Sequence, residues 1–510
     1  MIFNKINMHI IKFRVTSCFQ YEKNNWLISS WIILFVFLNV TLIKAQNSLN
    51  KADVLEKMTL ANNYFMNKWP DPTVNIVTDK SRPSNIWTRA TYYEGLMAMY
   101  RIDSNEIYYN YAVQWAEGHN WEPAYGGTTT RNADNQACGQ TYIELYQIDH
   151  QPKRIEKIKT VFDNILSSSK IDDWWWIDAI HMAMPVFAKL GAVYRDTSYF
   201  IRMYDMYMFT KTNQGDSGLY NKEDNLWWRD EDFDPPHTSP NGEDTYWSRG
   251  NGWVLAALAR VLDVMPEDAP HRDEYIKTFK EMAEALIAVQ REDGFWNVSL
   301  HDPDEYGGKE TSGTAFFTYG LAWGYNYGLL ADSIYKIAAI KGWEGMVNEA
   351  LHEDGFLGYV QSTGKQPSDG QPITYDKMPN FEDYGLGAFL LAGSEIYKMA
   401  DGTTGISLEH NISGDHAIPL VTTLYPAFPN PFNPQTTISF ALSKTADVII
   451  NIYDINGRLI RNLVNKRYHA GIHRVIFEGK NLASGVYIVH SIMQLPDKQA
   501  VFTKKTILLK

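Results

Sequence analysis

At 510 residues, with 45% hydrophobic and 21% charged positions, the chain has the balance of a globular protein, which excludes disordered, collagen-like and coiled-coil classes. Its 47 Lys and Arg against 59 Asp and Glu leave a net charge of −12, so it offers no general attraction to phosphate backbones or anionic lipid, and nucleic acid is not an expected partner. The 2 cysteines, Cys18 and Cys138, build neither a disulfide framework nor a cysteine-rich zinc site.

The N-terminus carries Lys5, Lys12, Arg14 and Lys23 ahead of an apolar run from Trp26 to Ile43, followed by Lys44 and Ala45. That order reads as a secretory signal over residues 1–45, with a retained anchor as the alternative because the run is long enough to span a bilayer. Either way the rest of the chain works outside the cytoplasm. Residues 46–403 read as a helical domain. Val254, Ala257, Leu258 and Val261 follow the 3.6-residue period, as do Ile276, Phe279, Met282, Ala283, Leu286 and Ile287.

Between helices a phrase returns, as Asp216-Ser217-Gly218-Leu219, Asp293-Gly294-Phe295-Trp296 and Asp354-Gly355-Phe356-Leu357. It marks a weak repeat of helix pairs. Six units of about 59 residues would each hold two helices and two loops, which suits an (α/α)6 barrel, though an irregular helical domain fits as well.

A linker is expected over 404–425. Residues 426–510 change to short β-branched runs with a turn at Asp454-Ile455-Asn456-Gly457, the pattern of a small all-β sandwich. The phrases PNPFNP, IYDINGRLI and ASGVYIV resemble the C-terminal sorting domain of type IX secretion cargo. That resemblance implies the type IX machinery as a partner, and a product secreted or held at the outer-membrane surface after crossing the periplasm. All 16 Trp precede residue 400, which disfavours the tail as a sugar-stacking module.

Aromatic residues cluster with carboxylates in the helical domain, and flat aromatic faces suit the C–H faces of sugar rings. In Asp172-Asp173-Trp174-Trp175-Trp176-Ile177-Asp178, the last aspartate opens an apolar helical stretch behind three indoles. A carboxyl there is either a helix cap or, if its apolar wall raises its pKa, a general acid. Asp134, in Arg131-Asn132-Ala133-Asp134-Asn135-Gln136, is a second candidate with the same bland alternative. Arg249 and Trp253, in Trp247-Ser248-Arg249-Gly250-Asn251-Gly252-Trp253, offer a guanidinium and an indole four residues apart. They could clamp and stack a substrate, or form an ordinary salt bridge. Lys309-Glu310-Thr311-Ser312 reads as a capped helix start, and His181 as a core histidine or a site residue.

Together RNADNQACGQTYIELY, DDWWWIDAIHMAMPVFAKLG, YWSRGNGWVLAALARVL, GFWNVSL, KETSGTAFFTYGLAWG and DYGLGAFLLAGSEIYK resemble glycoside hydrolase family 105, the unsaturated rhamnogalacturonyl hydrolases, and its relative family 88. The resemblance implies an (α/α)6 barrel. It also implies removal of a 4,5-unsaturated uronic acid from the non-reducing end of lyase products, with no metal or cofactor. It places Asp178 as the catalytic acid and Asp134 as its active-site partner, holding Asp178 protonated. Trp176 would be a pocket aromatic, with Arg249 and Trp253 as the sugar-binding pair; Trp175 and His181 are further substrate-binding candidates beside the Asp178 cluster.

One departure is the loop Gly218–Glu223, which lacks a histidine common in the family; His237 is the nearest substitute. The alternatives are an inverting glycosidase acting on saturated glycan, and a non-catalytic surface glycan-binding protein. A monomer or weak oligomer is expected.

Overall fold

The computed structural model describes residues 49–400 and most of 422–509, so the expected signal and nearly all of the expected linker lie outside the described residues. The chain divides into two compact units, one up to Thr404 and one from Gly405. Among the described residues of the first, twelve helices of ten residues or more follow in order. They are α1 (Lys51–Lys68), α2 (Trp87–Asp103), α3 (Glu106–Gly118), α4 (Gly139–Ile148), α5 (Glu156–Leu166) and α6 (Asp178–Tyr194), then α7 (Thr197–Thr212), α8 (Ser248–Val264), α9 (Arg272–Ala288), α10 (Thr311–Asn326), α11 (Ser333–Glu349) and α12 (Asp383–Met399).

Burial sorts them into two alternating kinds. Odd-numbered helices bury one stripe, as in α5, where Ile158, Val161, Phe162 and Ile165 face inward at the helical period. The α9 stripe runs through Tyr275, Phe279, Met282, Ala283 and Leu286, with Ile276 and Ile287 only half-buried. Even-numbered helices are buried nearly all round: every residue from Asp178 to Gly191 in α6, and from Ser248 to Leu262 in α8, is buried. The single face expected for Val254, Ala257, Leu258 and Val261 is therefore only part of a fully enclosed helix.

Each even helix packs on the next, and α12 packs back on α2, closing an inner ring with the odd helices outside. The closure depends on two glycines. A Cβ on Gly95 would lie 2.3 Å from the Gly387 carbonyl oxygen, and one on Gly387 would lie 2.2 Å from that of Thr91. The repeated loop phrase has a shared geometry too. Gly218, Gly294 and Gly355 take φ of +88°, +90° and +95°, each pressed against a carbonyl of an outer helix.

Pro185 interrupts α6. It has no N–H for the carbonyl of His181, and Gln140 Nε2 on α4 donates to that oxygen instead at 2.8 Å.

Two short hairpins decorate the ring, β1–β2 (Ile76–Val77, Ser81–Arg82) and β3–β4 (Tyr220–Asn221, Leu226–Trp227). The second unit is an all-β sandwich of β5 (Thr423–Leu424), β6 (Gln435–Leu442), β7 (Ala446–Asp454), β8 (Leu459–Tyr468), β9 (Gly471–Glu478), β10 (Gly485–Gln494) and β11 (Gln499–Leu508). The sheet orders are β5-β6-β9 and β11-β10-β7-β8. Alternation sets its core: Ala446, Val448, Ile450 and Ile452 of β7 are buried and meet Ile438 and Phe440 of the other sheet. In the β7–β8 turn Asp454 Oδ1 accepts the N–H groups of Asn456 and Arg458, each at 3.0 Å. Strand β5 pairs with β6 from inside the segment 404–425 expected as linker. Two residues are too few to show periodicity.

Candidate active site

The inner helices begin at one end of the ring, where Trp87 at the start of α2 stacks on Tyr384 at the start of α12, with ring centroids 5.5 Å apart. Asp178 is the first residue of α6 and only 8% exposed. The backbone just before it pairs with a distant segment: Trp176 bridges Asp230, and the Ile177 N–H donates to the Arg229 carbonyl at 2.9 Å. That pairing sets Arg229 against the aspartate, where Nε and Nη2 both donate to Asp178 Oδ2, at 3.2 and 3.1 Å. Nη1 of Arg229 is tied to Asp230. Asp178 Oδ1 is buried with no partner among the described residues. Burial raises the Asp178 carboxyl, the Arg229 guanidinium draws it partly back, and the balance stays above the ordinary carboxylate range.

Asp134 lies on a single helical turn, Ala133–Gln136, packed against α6. The cap of that turn is Asn132, whose Oδ1 accepts the Asp134 N–H at 2.9 Å, so the Asp134 side chain is free of the capping role. Burial, then the negative charge of Asp178, push Asp134 up to about 7 against the pull of Arg229. The charge of Asp178 thus favours the protonated form of Asp134, while the guanidinium favours the ionised form of Asp178. The half-buried Asp134 lines a cavity of about 380 Å³ together with Trp87, Tyr125, Phe381, Lys80 and Arg82. That volume is in the range of small-ligand sites.

Other expected residues are placed differently. Trp175 is 49% exposed, with the Arg229 guanidinium 5.9 Å from its ring, and Trp176 is buried. Arg249 does not present a free fork: Nη1 donates to the Gln361 carbonyl at 2.9 Å and Nη2 to that of Ser362 at 2.8 Å. Its guanidinium lies between the rings of Trp247 and Tyr384, at 4.4 and 4.9 Å. Its bidentate capacity goes to a loop backbone, where the Tyr384 hydroxyl also donates to the Gln361 carbonyl. Trp253 is 1% exposed and packs against His181, Phe316 and Trp87, so it is core and not a stacking platform. Trp87, at the start of α2 and 6.0 Å from the Trp253 ring, is the indole that reaches the cavity.

His181 is a core residue, with Nε2 3.0 Å from Glu94 Oε2 and Nδ1 3.3 Å from the Trp253 carbonyl. Glu310 caps α10 through the N–H groups of Ser312 and Gly313, as its sequence position implies. The loop without histidine forms β3–β4, where Asn221 donates to the Tyr246 hydroxyl at 2.7 Å. His237 is exposed and leans on the Phe233 ring, so it does not fill that role.

Arg229 is the main residue that sequence reasoning missed. Its signal was the phrase Trp227-Trp228-Arg229-Asp230, aromatic and charged like the Asp178 cluster but lacking a helix start. Among the described residues no group of three or more His, Cys, Asp or Glu is disposed to hold a metal ion.

At the opposite end of the ring lies another buried carboxylate. Glu144 accepts from Lys189 at 2.7 Å and from Arg260 at 3.1 Å, and Arg101 is 2.7 Å from its second oxygen. Burial raises this carboxyl, but the three cations overcome it and hold Glu144 far below the usual range.

Six helical hairpins in a closed ring, with paired carboxyls where the inner helices begin, define a six-hairpin glycosidase. Residues 57–400 match the model of Glycosyl Hydrolase Family 88, and the chain belongs to that family. Residues 426–508 match the model of a secretion system C-terminal sorting domain. The chain is 36% identical over 335 residues to an unsaturated 3S-rhamnoglycuronyl hydrolase of Formosa agariphila, covering 62% of this chain and 85% of that protein. A solved structure of a glycosyl hydrolase family 88 protein from Bacteroides vulgatus matches at 33% identity with TM-score 0.62, covering 68% of this chain and 99% of that one. Another, described as a polysaccharide lyase, matches at 32% identity with TM-score 0.63, covering 70% and 99%.

Proposed function

We propose that this protein removes a 4,5-unsaturated uronic acid from the non-reducing end of lyase-generated oligosaccharides. The observation that carries the reading is the Asp134–Asp178 pair, poised to hold one proton near neutral pH beside a small-ligand cavity. Family membership and the similarity to an unsaturated rhamnoglycuronyl hydrolase support it.

The C4=C5 bond of such a sugar is an enol ether. A carboxylic acid gives its proton to C4, positive charge develops at C5 and on the ring oxygen, and water adds at C5 as the new carboxylate takes one of its protons. The resulting hemiketal opens and releases the remaining sugar. Asp178 carries the transferred proton. In the free site Arg229 draws the Asp178 carboxyl down against its burial; a substrate carboxylate that draws Arg229 away leaves burial dominant, and Asp178 takes up the proton from Asp134.

The sorting domain directs the enzyme to the cell surface or beyond, by the type IX route through the periplasm. The similarity to a structure described as a polysaccharide lyase favours one rival, and a single assay separates them. Loss of the alkene's ultraviolet absorbance from unsaturated disaccharides supports hydration. Growth of that absorbance on intact polymer marks a lyase, and new reducing ends from saturated glycan at constant absorbance mark an ordinary inverting glycosidase.

A further inference from the structure

Arg229 serves two carboxylates, and it serves them unequally. Its Nε and Nη2 both donate to a single oxygen of Asp178, Oδ2, at 3.2 and 3.1 Å, while Oδ1 keeps no partner among the described residues. A carboxylate lying in the plane of that edge takes the two N–H groups on two oxygens, which is the stronger arrangement, so Asp178 leaves the fork half-matched. The other side of the guanidinium is different. Nη1 donates to Oδ2 of Asp230, which is 2% exposed. Asp230 Oδ1 accepts the Asp232 N–H at 3.0 Å, its carbonyl accepts the Phe233 N–H at 3.0 Å, and its backbone bridges Trp176. Asp232 Oδ2 in turn accepts Lys365 Nζ at 2.5 Å, which ties this loop to the segment whose Thr363 and Phe381 line the cavity. Asp230 is therefore fixed by its own loop and its neighbours, and it cannot follow an incoming ligand.

Three carboxylates, Asp134, Asp178 and Asp230, surround this one guanidinium. Of the other charges at this end, Arg249 also acts on Asp178 but is engaged with two loop carbonyls, Lys365 is engaged with Asp232, and Lys80 and Arg82 face the cavity from the β1–β2 hairpin. A uronate brings a further carboxylate, and it can offer two oxygens to the edge on which Asp178 offers one. We propose that Asp230 is a positioning residue, the fixed pivot that keeps Nη1 of Arg229 in place while its Nε–Nη2 edge leaves Asp178 for the carboxylate of the unsaturated sugar. The proposal rests on the hydrolase reading above. Without the pivot nothing divides the guanidinium between two carboxylates, and Arg229 closes on Asp178.

The test compares pH–rate profiles of full-length wild type, Asp230→Asn and Asp230→Glu on an unsaturated disaccharide. Removing the Asp230 charge, and giving Asp178 the whole guanidinium, lowers the proton affinity of the Asp134–Asp178 pair. Asp230→Asn therefore moves the fall of kcat/KM downward by about one pH unit, and activity lost at neutral pH returns as the pH is lowered. Asp230→Glu keeps the charge but displaces the pivot, so the fall stays at the wild-type pH while kcat drops about tenfold or more. A residue that only supports the fold would depress the rate alike at every pH in both variants, and that result overturns the pivot.

A crystal structure of Asp178→Asn with the disaccharide bound tests the same exchange without altering Asp230. It shows Nη1 still on Asp230 and the Nε–Nη2 edge on the uronate carboxylate; an Arg229 that abandons Asp230, or that stays on residue 178, overturns the proposal. A complex with the exchanged arginine in a protein whose wild type turns over no unsaturated sugar keeps the pivot and removes the hydrolase.

Discussion

The two ends of the inner ring bury carboxylates in similar helical surroundings and give them opposite proton affinities. At one end Asp134 and Asp178 share a single guanidinium, and Asp134 rises to about 7. At the other, Glu144 has Lys189 and Arg101 beside it and shares Arg260 with Glu94, and its carboxyl falls far below the usual range. Burial is common to both, so the ratio of cations to carboxylates sets the two proton affinities apart, and it suits one end to the proposed chemistry and the other to holding helices together.

Replacing the reactive carboxylate separates the two ends most sharply. Asp178→Asn lowers kcat by about 10² to 10⁴ on unsaturated disaccharides, followed by loss of ultraviolet absorbance, and leaves the urea midpoint near the wild-type value. A variant that kept its rate would dissolve the contrast. At the far end the outcome inverts: Glu144→Gln costs about 3–5 kcal/mol of stability in urea, because it strands buried cations, while the folded fraction keeps its turnover.

Arg229→Met probes the charge ratio itself. Activity requires a protonated carboxyl, so kcat/KM in the wild type falls as pH rises through about 7. Arg229 lowers both site carboxyls, and its removal moves that fall upward by about one pH unit, read from a pH–rate profile. The smallest effect belongs to His237→Ala, which changes kcat/KM by less than about twofold, as expected of an exposed side chain away from the chemistry.

The ring was legible because its outer helices carry 3.6-residue stripes and its loop glycines repeat. Asp178 was legible because three indoles precede a helix start. Arg229 was not, since its partner lies 51 residues away and is reached only through a backbone bridge between two loops. Arg249 and Trp253 were recognised as a pair but given the wrong surroundings. A sequence shows that an arginine has a fork, not that two loop carbonyls occupy it. Lys80 precedes and Arg82 ends a strand of two residues, too short to leave a periodic trace. The Glu144 network was hidden for a related reason: Arg101, Lys189 and Arg260 each resemble an ordinary helix charge until three helices bring them together.

The missing amide at Pro185 has a consequence for how the enzyme comes into being. Helix α6 cannot complete its own hydrogen bonding; the carbonyl one turn beyond Asp178 is satisfied only by Gln140 from the neighbouring helix, and Gln140 is in turn held by Arg260 from α8 at 2.7 Å. The element that presents the reactive carboxylate is therefore finished by its neighbours. A half-assembled chain would carry Asp178 and Arg229 and still lack the framework that holds that helix start, so the proposed chemistry waits on closure of the barrel.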